Sequence, residues 1–125
     1  MIALALTPLD QAPRGKFVLL RHGGKVHFVC ASLKTHPFHA VIVHAYVQEQ
    51  GRGEAVLLEK AFCAIHSPDW KILGGGYYEA DFAARIFRLH GKSTAYGKYP
   101  AQELAPRLGA LMRALGLPDF DPILA

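Results

Sequence analysis

The sequence predicts a single α/β domain of the α+β kind, a mixed sheet of five to six strands packed with two main helices. Three observations point there. The 125 residues allow one domain (1–125) with one core, because a chain of this size buries roughly two-thirds of its unfolded surface. Two runs of β-formers flank Gly23-Gly24, and a run near the C-terminus carries leucines at helical spacing. Composition agrees: 51% hydrophobic and 19% charged residues are ordinary globular values that argue against extended disorder.

Pro8 and Pro13 break up the first fifteen residues, which read as an edge segment and loop. Lys16 to His22 (KFVLLRH) and Lys25 to Ala31 (KVHFVCA) form a hairpin, because the glycine pair supplies the positive φ angles of a tight turn. Ala40 to Gln48 (AVIVHAYVQ) is almost continuously apolar and reads as a central strand, ended by Gly51-Arg52-Gly53. Residues 54–66 (EAVLLEKAFCAIH) read as the first helix, since Ala55, Leu58, Phe62 and Ile65 recur at steps of three and four; Ser67-Pro68 stops it. Trp70 to Leu73 leads into Gly74-Gly75-Gly76. Tyr77 to Ala80 and Ala84 to His90 then make a second hairpin around Asp81, followed by the polar loop GKSTAYG (91–97). The second helix spans about Ala105 to Leu115, with Leu104, Leu108, Leu111, Met112 and Leu115 on one stripe. Pro106 suits its first turn and Gly116 its C-cap. The expected order is β-β-β-α-β-β-α with a tail.

Several function classes drop out. The formal charge of +4 fits an acidic or phosphorylated partner, but the basic residues are scattered and form no block of the kind a nucleic-acid arm shows. No stretch approaches the roughly 18 apolar residues of a membrane span. The apolar start, Met1 to Leu6, stops at Thr7-Pro8 and lacks a basic beginning, so a cytoplasmic protein is expected. Cys30 and Cys63 form no C-x-x-C pair and read as buried reduced thiols, a disulfide being the alternative. His36 and His39 spell H-x-x-H, yet no cysteine or carboxylate cluster joins them, so neither metal nor cofactor is expected. Arg21-His22-Gly23 matches the RHG triplet of the histidine phosphatase superfamily, but here it sits in a tight hairpin turn.

Read end to end, the segments ALTP (5–8), KFVLLR (16–21), IVHAY (42–46), LGGG (73–76), STAYG (93–97) and PDFD (118–121) resemble, in that order, the Janus/Ocnus phosphohistidine phosphatases. The resemblance implies a phosphoryl group held on the main-chain amides of Ser93, Thr94 and Ala95, with Lys16 beside it. Successive amides pointing into one concavity make an anion nest that needs no metal, and small residues keep side chains out of it. Gly91 and Gly97 let the backbone bend at either end. A plain β-to-α connection capped by Ser or Thr is the alternative reading of this loop.

The family's catalytic histidine has two candidate positions here. Pairing IVHAY with the family's strand, without gaps to LGGG, puts Arg52 there. A guanidinium stays protonated and binds a phosphoryl group rather than acting as a base. In that register His44 and Tyr77 stand where the family has arginines, and His44 becomes a candidate base. A rival register aligns Phe38-His39-Ala40 with the catalytic segment and makes His39 the base, at the cost of a long insertion before LGGG. The implied activity is metal-independent hydrolysis of a phosphoramidate such as phosphohistidine, in a phosphorylated protein, peptide or small molecule. A catalytically impaired phosphate- or phosphopeptide-binding module is the alternative, and a small-molecule binding domain on the same scaffold is a third. The oligomeric state is not legible in the sequence.

Overall fold

In a computed structural model, which describes residues 1–50, 55–58, 62–65 and 68–125, the chain is one α+β domain. Its main sheet is built from β1 (Ile2–Ala5), β2 (Arg14–His22), β3 (Lys25–Ser32), β6 (Trp70–Asp81), β7 (Ile86–His90) and β8 (Asp121–Leu124). The spatial order is β1-β3-β2-β6-β7-β8. The four central strands are antiparallel to their neighbours, and β1 and β8 each add a parallel edge, to β3 and β7 respectively. The turn between β2 and β3 has Gly23 at φ 58° and Gly24 at φ 78°, the two left-handed residues that a two-residue hairpin requires.

The strands are buried on both faces, which is why FVLL in β2 shows no alternation. Phe17 and Leu19 enter one core with Phe28, Phe87, Leu89, Leu104, Leu111 and Met112. Val18 and Leu20 enter the other with Val29, Ala40, Ile42, Val43, Tyr46 and Val47. The first core is closed by the C-terminal helical segment: α2 (Ala101–Leu104), a 3-10 turn (Ala105–Arg107) containing Pro106, and α3 (Leu108–Ala114). The leucine stripe expected here faces the sheet, and Gly116 ends the segment at φ 75°.

Three expectations are corrected. Residues 40–48 are not a central strand; they lie within α1 (His39–Gln50). An uninterrupted apolar run does not distinguish a buried strand from a buried helix. The reason this helix is apolar on most sides is that it packs on β2 and β3 and is itself covered by β4 (Ala55–Leu58) and β5 (Phe62–Ile65). These two strands replace the helix expected over 54–66. They pair antiparallel as a separate small sheet, with Ala55 opposite Ile65 and Leu58 opposite Phe62. The four positions that mimic a helical face are thus the two end pairs of a hairpin. Finally, the segment after Gly116, expected only as a tail, carries a strand: β8 pairs with β7, and the Tyr99 hydroxyl donates to the Ala125 main-chain oxygen at 2.7 Å.

Candidate functional site

Lys16 on β2 and Tyr77 on β6 are direct cross-strand partners, and Tyr77 is in turn paired with His90 on β7. Lys16 and Tyr77 project on the α1 side of the sheet, since Phe17 and Tyr78, their sequence neighbours, enter the opposite core. The helix α1 begins at this point. The Phe38 carbonyl accepts its first bonds, from the Val41 amide at 3.1 Å and the Ile42 amide at 3.4 Å, which leaves His39 as the first helical residue. Together with the loop after β7 these elements enclose a cleft of about 390 Å3 lined by Lys16, Phe38, His39, Phe62, Tyr77, Ser93, Thr94 and Ala95.

His39 is only 6% exposed, and its Nε2–H donates to the Gly76 carbonyl at 2.9 Å. A carbonyl can only accept, so the neutral ring carries its proton on Nε2 and keeps its lone pair on Nδ1. Burial lowers the His39 pKa below the ordinary histidine value; the Gly76 bond opposes that shift and the Lys16 charge adds to it. The ring sits edge-on to Tyr77, with centroids 5.9 Å apart. This approach to the sheet needs the glycine run: a Cβ on Gly75 would stand 2.9 Å from His39 Cδ2 and 2.6 Å from the Phe17 carbonyl oxygen.

Lys16 Nζ donates to the Pro37 carbonyl at 2.7 Å and lies 5.6 Å from the Phe38 ring centroid and 5.7 Å from that of Tyr77. Partial burial lowers its pKa. Two of its three N–H donors have no partner among the described residues, and a cation held between two aromatic faces is ready to receive an anion.

The loop 91–97 folds on itself. Ser93 and Gly97 exchange two backbone bonds (3.1 and 2.8 Å), and the Gly97 carbonyl also accepts the Gly75 amide at 3.1 Å. The Ser93 side chain is buried, with Oγ accepting the Tyr96 amide at 3.1 Å. The expectation of three free amides is therefore corrected: that of Ser93 is committed to Gly97, because the tight turn needs it. The amides of Thr94 and Ala95 have no partner among the described residues. Gly91, at φ 72°, lies against Tyr77, where a Cβ would come within 2.7 Å of Cδ2.

The structure thus brings together Lys16, His39, Ser93, Thr94 and Ala95. It does not bring His44, which lies half-buried on α1 and does not line the cleft. The register that favoured His44 and Arg52 matched IVHAY to a strand; those residues are helical, and the pairing loses its basis. Arg52 itself lies outside the described residues. Three cleft residues were not among the expected site residues, Phe38, Phe62 and Tyr77. Phe38 and Phe62 are each more than a third exposed, a property of the fold that their place in the sequence does not reveal.

The remaining motifs lie elsewhere. Arg21 of the RHG triplet pairs with Glu103 at 2.6 Å, and His22 stacks on Trp70 at 4.3 Å. His36 Nδ1 contacts Thr35 Oγ1 at 2.9 Å. Cys30 and Cys63 are buried and not joined to each other. Among the described residues no three His, Cys, Asp or Glu side chains gather as a metal site would need, and no helix is long and apolar enough to cross a membrane. No protein-family model matches the chain, and no curated protein matches it either.

Proposed function

We propose that the chain is a phosphohistidine phosphatase of the Janus/Ocnus type, hydrolysing the P–N bond of a phosphorylated protein, peptide or small phosphoramidate without a metal. The observation that carries this reading is the His39 hydrogen bond to Gly76, which leaves Nδ1 available in a cleft that also contains Lys16 and two unpartnered amides. The phosphoryl oxygens bind Lys16 Nζ and the Thr94 and Ala95 N–H groups, and the Ser93 hydroxyl has a proton left to donate. His39 Nδ1 takes a proton from water as its oxygen attacks phosphorus. The P–N bond breaks, the leaving nitrogen takes that proton, and His39 returns to its starting state. Donors already in place for the charge of the transition state supply much of the rate.

The direct test is 31P NMR of phosphohistidine incubated with the purified protein in excess chelator. Conversion to inorganic phosphate at the chelator-free rate, with unchanged thermal stability, is expected. A rate abolished by chelator would refute the metal-independent mechanism. Phosphate binding without turnover would leave only a binding module.

The anion loop has its own test. Thr94→Pro removes one unpartnered amide and keeps the Ser93–Gly97 bonds, so phosphate affinity should fall about tenfold or more, a charge-assisted hydrogen bond being worth roughly 1.5–3 kcal/mol. An NMR titration in which phosphate moves the amides of another segment and leaves 93–97 still would show that the nest is misplaced.

A further inference from the structure

The hairpin β4–β5 stands apart from the main sheet, yet it brings a side chain into the cleft. Phe62, the first residue of β5, lines the cleft and remains 47% exposed, so its ring is open to whatever occupies the cleft. It is not loosely attached. The Tyr96 hydroxyl accepts the Cys63 amide at 3.0 Å and faces the Cys63 carbonyl at 3.3 Å, so the residue after Phe62 is tied to the residue after Ala95. The rings of Phe62 and Tyr96 also lie 6.2 Å apart. Tyr96 therefore couples the hairpin to the loop that carries the two unpartnered amides. Phe38 and Tyr77 supply two more aromatic surfaces in the same cleft.

We propose that Phe62 is a specificity-determining residue: it completes an aromatic enclosure that receives the flat ring of the leaving group, favouring phosphoryl-imidazoles over phosphorylated alkylamines. The inference rests on the phosphoramidate reading above. Phe38 and Tyr77 flank Lys16, whereas Phe62 touches none of the groups that would hold a bare phosphate. The three rings fit a planar heteroaromatic ring attached to the phosphate, through offset or edge-to-face contacts. A flexible alkylamine chain has no face to offer them.

The probes are a phosphoryl-triazole analogue of phosphohistidine, which is not hydrolysed, and inorganic phosphate. Affinities for both are measured by titration with wild type, Phe62→Ala, Phe62→Leu and Tyr96→Phe. Phe62→Ala should weaken analogue binding roughly three- to tenfold, the range of an aromatic pair, and leave phosphate binding unchanged. Phe62→Leu, which keeps apolar bulk without a ring, should recover only part of the loss, and Tyr96→Phe should lower affinity for both probes by loosening the loop. In turnover, Phe62→Ala should raise KM for phosphohistidine and leave that for phospholysine in place. Equal effects of Phe62→Ala on analogue and phosphate, or none on either, would overturn the assignment. If wild type prefers the analogue in a Phe62-dependent way but hydrolyses nothing, the specificity assignment stands and the hydrolytic reading fails. If it binds neither probe, both fail.

Discussion

His39→Ala is expected to lower phosphohistidine turnover by roughly 10²–10⁴-fold, the usual contribution of a positioned proton-transfer group, while His44→Ala stays near the wild-type rate. The contrast is informative because both histidines belong to one helix and only His39 lines the cleft. A pH profile adds a second readout. Burial, reinforced by the Lys16 charge, lowers the His39 pKa. The ring then stays neutral below the ordinary histidine value of about 6.5, and the acid limb of kcat/KM should fall beneath that point. Lys16→Met removes one cause of the lowering and should move the limb upward. The same shift bears on stability. In the window between the lowered folded value and the ordinary one, the unfolded chain holds a proton that the folded chain lacks, so stability declines as pH drops through it. An acid limb at or above the ordinary histidine value, or a His39→Ala rate equal to wild type, would contradict the assignment.

Gly75→Ala is expected to impair both stability and turnover. The added methyl group meets the Phe17 carbonyl oxygen at 2.6 Å, and this atom belongs to the strand paired with β6, so it cannot swing aside. Forcing a methyl group into such a contact typically costs about 1–3 kcal/mol. The other neighbour is the His39 ring, which must lift away from Gly76 and lose the hydrogen bond that selects its tautomer. Thermal unfolding and phosphohistidine turnover measured on the same preparation check this. A variant as stable and active as wild type would show that the close approach is not required. At Gly97, where a Cβ meets nothing within 4 Å, the only cost of alanine is the left-handed φ of 80°.

Much of the sheet was legible in the sequence because its signals are local. Gly23-Gly24 defines a hairpin by turn chemistry alone, and the leucine stripe from Leu104 to Leu115 identifies a helix face by period. The two misread segments share a cause in long-range packing. AVIVHAYVQ carries β-branched residues and no polar face because α1 is covered on two sides, by the sheet and by β4–β5. EAVLLEKAFCAIH imitates a helical face because hairpin end pairs can fall at helical spacing. Of the cleft lining, Lys16 and residues 93–95 are the positions that the family resemblance implies. The strand expected over 40–48 puts His39 at a strand start, and only the helix α1 sets it over the glycine run. Phe62 could not be placed, since the misassigned helix put it on a buried face.

The central seam of the sheet joins β2 to β6, and its end pair, Arg14 and Glu79, is separated by 65 residues of chain. Lys16, Gly76 and Tyr77 all lie along this seam, with His39 docked over it. Such a pairing closes a long loop, whose entropic cost is met only as neighbouring contacts form. Amide hydrogens that bridge β2 and β6 should exchange only through near-global opening. The chain looped out between β2 and β6 carries β3, α1 and β4–β5, and α1 packs back on β2. The cleft thus takes Lys16 and Tyr77 from the seam and Phe38, His39 and Phe62 from the looped-out chain.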